Sequence, residues 1–362
     1  MSAPALSGLL ERRDEIASKR LVVGFDGFID TIVRPVKLAR SETDPAVPFE
    51  TIREFGAFLV EKADKSCSVE LTVEARRPGG NMPLLARGAG GLGLGVTCIG
   101  MLGDGAVEGL FCDLPCRVYT FAPPGQSTCL EFQDGKVMLA ADCELPRDPW
   151  ELVLEATGGG APALFGQADL IALVNWSELS FSQALWQSVY ERSLDGLPAD
   201  KGRFAFFDLC DVSRRTAAQI RQVLRLIGGF TQKRTTILSL NENEANLVAA
   251  RGLGLACPDD KKAVAEALRR HFDLDEVLIH TVQESLLLTE RGLSRLPVRY
   301  VEQPKILTGA GDNFNAASCF GAVMGLPDAQ RLALADEFAR FYIQNGRSAG
   351  LREIRAGKMP VY

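Results

Sequence analysis

Short β-rich runs alternate with helical patterns along most of this chain of 362 residues. Six apolar runs indicate strands: RLVVGFDGF, VTCIGML, ADLIALVNW, RFAFFDL, TTILSLN and EVLIHTV. Several of them are apolar on both faces, which is typical of a parallel sheet covered by helices. Helical patterns lie between the runs, among them FSQALWQSVYERSL, SRRTAAQIRQVLRLI and KKAVAEALRRHF. The alternation predicts an α/β protein with a doubly wound, mostly parallel sheet flanked by helices.

Three segments have a different pattern, in which apolar and polar residues alternate: about 30–38, 67–77 and 127–140. Such alternation indicates a half-exposed antiparallel sheet. We therefore expect these segments to form a small antiparallel β lid. The glycine-rich segment ATGGGAPALFG is too short to separate two domains. The sequence thus predicts a single domain over 1–362 that carries the lid.

Charge and hydropathy narrow the classes of partner. The net charge is -6, and the lysines and arginines are scattered in ones and twos, which leaves no polybasic surface for nucleic acid or anionic lipid. The first twenty residues contain no apolar core of signal-peptide length, and no later run approaches about 18 uninterrupted apolar residues. We expect a cytoplasmic protein that binds neither nucleic acid nor membranes.

Histidine and cysteine usage excludes several kinds of site. His271 and His280 are the only histidines, which argues against a Ser/His/Asp triad and excludes a multi-histidine zinc site. The nine cysteines form no CxxC pair, and several lie in apolar runs, as buried free thiols do. Carboxylates and backbone amides remain as the chemical groups, with magnesium as a further option.

The stretch LTGAGDNF at 307–314 places two glycines and an alanine directly before an acid and a predicted helix. Small residues allow close approach to the backbone, and free N–H groups at a helix start favour an anion. Asp312 then lies in the first turn of this helix. From this stretch alone, two interpretations of Asp312 are equally supported: a helix N-cap, or a catalytic acid beside an anion site.

The stretch GAGGLG at 88–93 matches the G-x-G-x-x-G pattern, but it follows a helical pattern and precedes a strand. The dinucleotide fingerprint requires the opposite order. A glycine cluster at the C-terminus of a helix is the better interpretation.

Four motifs follow predicted strands or begin helices: GFDGFID at 24–30, PGGN at 78–81, SLNENEAN at 239–246 and TGAGDNF at 308–314. These are the places where open α/β sheets bind ligands. In this order and spacing the motifs resemble the ribokinase-like (PfkB) carbohydrate kinases over nearly the whole chain. The resemblance implies ATP-dependent phosphorylation of a hydroxyl group on a sugar or sugar-like polyol, with ATP and Mg²⁺ as cofactors.

The resemblance implies a role for each motif. The amides of Gly309, Ala310 and Gly311 form the anion hole of the GAGD turn, and Asp312 is the catalytic base. The implied substrate-binding residues are Asp26, Asp30, Gly79, Gly80 and Asn81, with Asp30 the better aligned of the two acids.

On the nucleotide side, the implied residues are Asn241, Glu244, Thr281, Thr308 and Asn345. Glu244 is expected to organise magnesium through water. The stretch DLCDVSRR at 208–215 adds Asp208 and Arg214, either as contacts to substrate or nucleotide or as a solvated helix cap.

The chain departs from the family pattern at two places. Ile306 stands where many relatives carry an aspartate associated with a monovalent cation, so we expect weak or no potassium activation. The stretch HTVQESL at 280–286 keeps Thr281 but lacks the glycines of a nucleotide loop.

Two alternatives to a sugar kinase therefore remain open. One is a catalytically degenerate relative that binds a sugar or a nucleotide without turnover. The other is a different α/β enzyme, such as a nicotinamide-dependent one, which the position of GAGGLG argues against. The resemblance also implies a homodimer formed through the lid.

Overall fold

The computed structural model describes residue 8 and residues 11–141, 143–255 and 260–355. The strands are β1 (Arg20–Phe25), β2 (Phe28–Leu38), β3 (Val47–Pro48), β4 (Leu71–Gly79), β5 (Gly95–Gly100), β6 (Arg117–Thr120), β7 (Gly125–Phe132), β8 (Gly135–Ala140), β9 (Leu170–Leu173), β10 (Phe204–Asp208), β11 (Thr235–Asn241), β12 (Glu276–His280), β13 (Glu284–Thr289) and β14 (Gly292–Pro297).

The α-helices are α1 (Arg13–Ser18), α2 (Ile52–Glu61), α3 (Asn81–Gly91), α4 (Pro149–Ala156), α5 (Ala161–Gln167), α6 (Ser182–Val189), α7 (Ala217–Phe230), α8 (Glu242–Leu253), α9 (Lys261–His271), α10 (Ala310–Val323), α11 (Asp328–Asn345) and α12 (Leu351–Arg355). A π-helical segment (Tyr190–Leu194) extends α6, and two short 3-10 helices occupy Gly109–Phe111 and Val212–Arg214.

The main sheet has nine strands in the order β14-β13-β12-β11-β10-β9-β1-β5-β6. The seven strands from β12 to β6 are parallel, and the hairpin β13–β14 adds an antiparallel edge. All six predicted strands lie in this sheet, which confirms the doubly wound α/β prediction. Strand β6 and the edge hairpin were not predicted.

Helices cover both faces of the main sheet. Phe206 and Phe207 are neighbours in β10, yet they belong to two different buried clusters on opposite faces. One cluster includes side chains of α4 to α9, and the other includes side chains of α3, α10 and α11. Burial on both faces explains why the strands of this sheet are almost continuously apolar.

The three alternating segments form a second sheet with β3, in which β2 pairs with β3, β4 and β7, and β7 pairs with β8. The prediction of an antiparallel sheet is correct for every pairing except β2 with β7, which is parallel. This exception has a simple cause. Strands β2 and β7 follow shortly after β1 and β6, which run parallel in the main sheet, so both chains leave its carboxyl edge in the same direction.

Two further predictions concern local features. The glycines of 88–93 close helix α3 before β5, so the helix C-terminal interpretation of GAGGLG is confirmed. The eight described cysteines are free thiols, and Cys257 lies outside the described residues. Within the described ranges, no helix is both long and apolar enough to cross a bilayer.

Polar residues collect where the parallel strands end. Asp26 follows β1, Asn175 follows β9, Asp208 and Asn241 end β10 and β11, and His280 ends β12. Because these strands are parallel, all five residues lie at one edge of the sheet.

Candidate active site

The GAGD turn begins helix α10 at the carboxyl edge. Gly309 has a φ of 91°, and a Cβ there would lie 2.7 Å from the Tyr342 hydroxyl oxygen, so this position requires glycine. The N–H groups of Gly311 and Asp312 hydrogen-bond to none of the described residues. The Ala310 N–H, however, donates to the Leu307 carbonyl at 3.2 Å. The turn thus presents two free N–H groups at the positive end of α10, and Ala310 contributes less than the sequence implied.

Asp312 is buried in the first turn of α10, beside Asn81 of the PGGN motif. Burial raises the pKa of Asp312 well above its ordinary value. The carboxylates of Asp208, Asp26 and Glu244 raise this pKa further, and the neighbouring Asn81 side chain partly offsets them. Asp312 therefore becomes a strong proton acceptor whenever it is ionised.

Asp26 joins the end of β1 to the start of α3. Its carboxylate accepts hydrogen bonds from the backbone N–H groups of Asn81 at 2.7 Å and Met82 at 2.8 Å, and from the Asn175 side chain at 2.7 Å. Burial raises the pKa of Asp26 to about 6, although these hydrogen bonds lower it. Asp26 is 0% exposed, and these three donors hold its carboxylate against the start of α3, so we expect it to position Asn81.

The glycines of PGGN allow this close packing. Gly80 has a φ of 89°, and a Cβ there would lie 2.5 Å from an oxygen of Asp26. A Cβ on Gly79 would overlap the carboxylate of Asp30. Both positions thus require glycine so that the two acids fit beside the start of α3.

Asp30 is the acid that faces open space. It lies on β2, accepts a hydrogen bond from the Ser127 hydroxyl, and lines a cavity of about 640 Å³ under the second sheet. Burial raises its pKa, while Ser127, Lys136 and Arg77 lower it. Thr308 lines the same cavity, although the sequence placed it on the nucleotide side.

Asp208 and Glu244 complete a group of four acids with Asp26 and Asp312. Burial raises the pKa of Asp208 to about 6. Burial, followed by the charge of Asp208, raises the pKa of Glu244 to about 8. Asp208 also accepts a hydrogen bond at 2.6 Å from Asn315 of α10. The sequence left Asp208 undecided between a ligand and a cap, and it shows no motif for Asn175 or Asn315.

The acid group suits magnesium bound through water. Oxygen ligands are those that Mg²⁺ prefers, and it commonly retains several waters beside one or two carboxylates and substrate phosphates. In the described parts of the chain, no three His, Cys, Asp or Glu side chains converge as a metal cage. Both oxygens of Glu244 accept hydrogen bonds from Asn241, one from its backbone and one from its side chain. This arrangement fits a residue that contacts metal-bound water.

The raised pKa of Glu244 predicts how stability depends on pH. The native state retains a proton that the unfolded state loses near its ordinary pKa, so the free energy of unfolding falls as the pH rises towards about 8. Glu244→Gln keeps the capping geometry but cannot ionise, so it is expected to flatten this fall between about pH 6.5 and pH 8.5 and to be the more stable form at the upper limit. Urea denaturation across that range measures the effect.

Glu242→Gln is the matched control, because Glu242 lies in the same helical turn but is half exposed. The free energy of unfolding of this control should depend on pH as that of the wild type does. If this free energy varies with pH at the same slope in the wild type and both variants, Glu244 is already ionised at neutral pH.

A second cavity, of about 350 Å³, lies on the other side of the GAGD turn. Its walls include Asn241, Thr281, Phe314, Ile343 and Gly311. The Thr281 backbone N–H and hydroxyl both donate to the Glu284 carbonyl, which holds the turn after β12. The wall is mostly apolar, as are the walls of pockets that bind flat rings.

His280 adds to this wall. Its ring lies 4.8 Å from that of Phe314, and burial lowers its pKa to about 4, so the imidazole is neutral at physiological pH.

Two residues singled out in the sequence lie apart from the second cavity. Asn345 is exposed at the end of α11, where its amide donates to the Phe341 carbonyl at 2.8 Å, and it does not line that cavity. Arg214 forms an exposed ion pair with Glu178 at 2.5 Å, which fits the solvated alternative that the sequence left open for it.

The ribokinase-like fold, together with the family that the sequence matches, defines a carbohydrate kinase. The ribokinase of Thermotoga maritima covers 93% of this chain and 98% of its own, with a TM-score of 0.62 and 14% identity. The ribokinase of Arabidopsis thaliana, solved with ribose and ATP, covers 94% and 98%, with a TM-score of 0.60 and 16% identity.

Sequence comparison is more specific. The chain matches the family model of prokaryotic ketohexokinase over residues 10–358 and belongs to that family. It is 26% identical over 352 residues to the ketohexokinase of Haloferax volcanii, covering 95% of this chain and 92% of that protein.

Proposed function

We propose that this protein transfers the γ-phosphoryl group of ATP to a hydroxyl group of a ketohexose. The contact between Asp312 and Asn81 supports the proposal most strongly, because it joins the GAGD turn to the PGGN motif. The name of the Haloferax volcanii relative supports a ketohexose as acceptor, and the relative solved with ribose and ATP supports ATP as donor.

In the proposed reaction, the sugar binds in the cavity that Asp30 lines, and ATP binds in the cavity beside Thr281 and Phe314. Asp312 accepts the proton of the reacting hydroxyl group. A bond forms between the hydroxyl oxygen and the γ-phosphorus as the bond to the β–γ bridging oxygen breaks, and ADP leaves. The N–H groups of Gly311 and Asp312 hold the oxygens of the group in transfer.

Glu244 and Asp208 are the residues proposed to hold Mg²⁺ through water. Bound Mg²⁺ would supply positive charge to the phosphates and lower the pKa of the neighbouring carboxyl groups. On this basis, Glu244→Gln should also raise the Mg²⁺ concentration that gives the half-maximal rate.

The test is an assay of ADP release with a panel of acceptors: D-fructose, D-tagatose, L-sorbose, D-glucose, D-ribose and adenosine. Turnover should be highest with a ketohexose. Turnover with ribose or adenosine alone would refute the proposed acceptor. Binding of sugar or ATP without ADP release would instead favour the degenerate relative.

Asp30→Ala is expected to raise the KM for the ketohexose by about 10–100-fold and to leave the KM for ATP unchanged. A carboxylate that accepts a hydroxyl proton contributes about 1.5–3 kcal/mol per hydrogen bond. Initial rates at varied sugar and varied ATP measure the two constants. Asp134→Ala is the control, since Asp134 lines the same cavity but bonds to the backbone of Ile52. Equal changes in both KM values would make Asp30 a structural residue.

The second sheet is proposed to act as a lid and to pair with a second copy of the chain. Its exposed apolar side chains, including Val73 at 60% and Leu139 at 54% exposure, support such a contact. Sedimentation equilibrium is expected to give the mass of a dimer, and a monomer at micromolar concentration would remove this part of the proposal.

A further inference from the structure

Lys136 connects the second sheet to the GAGD turn. It lies at the start of β8, and its ammonium group donates a hydrogen bond to the Thr308 hydroxyl, 172 positions along the chain. Thr308 directly precedes Gly309, the N-cap of α10. Among the described residues, Lys136 is the cationic side chain that hydrogen-bonds to this turn.

Strand register places Lys136 on the inner face of the second sheet. Asp30 pairs with Ser127 across β2 and β7, and Glu131 pairs with Lys136 across β7 and β8. Residues 127 and 131 are separated by an even number of positions, so they share a face with their partners. The face that carries Asp30 over the cavity therefore also carries Lys136.

The positive charge of Lys136 is available to a ligand. Its partner at the turn is a neutral hydroxyl group, and it forms no ion pair within the described part of the chain. Glu131 lies opposite on the same face without pairing with it, and Asp30 is near enough for Lys136 to lower its pKa.

The site needs such a charge. Asp26, Asp208, Glu244 and Asp312 surround the turn, and the phosphates of ATP would bring further negative charge to it. The transition state of phosphoryl transfer spreads charge over three equatorial oxygens, which fixed cations and N–H groups stabilise. The two arginines that line the second cavity do not fill this need, since Arg340 and Arg299 both pair with Glu337, at 2.6 Å and 3.5 Å.

We propose that Lys136 is a catalytic cation, brought by the second sheet, that binds an oxygen of the transferring phosphoryl group beside the GAGD turn. This inference rests on the proposed kinase function. As the hydroxyl oxygen bonds to the γ-phosphorus and the bridging bond to ADP breaks, the ammonium group moves its hydrogen bond from Thr308 to the developing oxygen charge. The proton of the sugar hydroxyl still passes to Asp312, so Lys136 remains protonated throughout.

The first test compares Lys136→Met and Lys136→Arg with the wild type, using the panel sugar that is turned over fastest. Lys136→Met should lower kcat about 10²–10³-fold with little change in the KM for sugar, as loss of one oxyanion donor does. Lys136→Arg should recover part of this loss. Lys37→Met is the matched control, because Lys37 lies on β2 of the same sheet but pairs with Glu54, and its kcat should be unchanged.

A second readout does not require turnover. Calorimetry measures how much aluminium fluoride, a mimic of the transferring group, tightens the binding of MgADP. The tightening should be lost in Lys136→Met while the affinity for MgADP alone stays the same. The wild type could show no turnover with any sugar and yet bind MgADP more tightly with aluminium fluoride than Lys136→Met does. That result would refute the proposed ketohexose acceptor but retain Lys136 as a ligand of the phosphoryl group.

Two results would overturn the inference. One is a kcat of Lys136→Met within about threefold of the wild type together with unchanged tightening by aluminium fluoride. The other is a rise in the KM for sugar at constant kcat, which would make Lys136 a sugar ligand. Because Lys136 is exposed, thermal unfolding should be equal for all the variants, so loss of folding does not confuse these outcomes.

Discussion

Asp312→Asn is expected to lower kcat by about 10²–10⁴-fold while the sugar and ATP still bind, since an amide cannot accept the hydroxyl proton. The variant should be at least as stable as the wild type. Burial and three neighbouring carboxylates raise the pKa of Asp312, so its charge is unfavourable in the folded protein. Asparagine removes that charge and keeps the size of the side chain. A large loss of kcat without a loss of stability therefore distinguishes a catalytic base from a residue that only supports the fold.

Steady-state kinetics with ketohexose and thermal unfolding of the same preparation measure both effects. Asp328→Asn is the matched control, because Asp328 is the first residue of α11 and bonds to Thr289 and Arg291 far from the turn. That variant should lose a little stability and retain its kcat. A folded Asp312→Asn protein with wild-type turnover would eliminate the base assignment and leave Asp312 as a buried residue of the first turn of α10.

Asp26→Ala is expected to lower the free energy of unfolding by about 3–5 kcal/mol and to abolish turnover. Three donors lose their acceptor: the N–H groups of Asn81 and Met82 and the amide of Asn175. An unsatisfied buried donor costs about 1–3 kcal/mol. Since the same carboxylate fixes the start of α3, Asn81 should also lose its position beside Asp312. Urea denaturation at about pH 8, where Asp26 is ionised, measures the loss.

Asp26→Asn provides the intermediate case, because it retains one acceptor oxygen but places an N–H group near the other donors. Its stability should lie between those of the wild type and Asp26→Ala. If Asp26→Ala were as stable as the wild type and displaced only the sugar, Asp26 would be a substrate ligand after all.

The strands of the main sheet were predictable because burial on both faces leaves a strong pattern. In β10, Phe206 and Phe207 face opposite clusters, and only apolar residues satisfy both. The direction of β7 beside β2 was not predictable from either segment, because each alternates in the same way whether its neighbour is parallel or antiparallel. The topology of the main sheet decides it.

The site was predictable where glycine marks close packing. Gly80 and Gly309 both adopt a positive φ, and each lies within a motif that the sequence singled out. The two acids after β1 were not distinguishable in sequence. Only the structure shows that Asp26 is enclosed by Asn81, Met82 and Asn175, whereas Asp30 opens onto a cavity.

Long-range contacts account for what sequence reasoning missed. Asn315 reaches Asp208 from 107 positions away, and Lys136 reaches Thr308 from 172. Neither asparagine nor lysine in those segments differs from ordinary helix or surface residues. Asn315 and Lys136 make these contacts because the second sheet and helix α10 meet at the carboxyl edge of the main sheet. A local sequence pattern does not show that meeting.

The most direct test of the account is ³¹P NMR of a reaction that contains the wild-type protein, ATP, MgCl₂ and the preferred ketohexose. We expect a sugar phosphomonoester resonance to grow together with ADP in equal amounts, with little inorganic phosphate. ADP with an equal amount of inorganic phosphate and unmodified sugar, or a spectrum that stays unchanged with every ketohexose, would contradict phosphoryl transfer to a ketohexose.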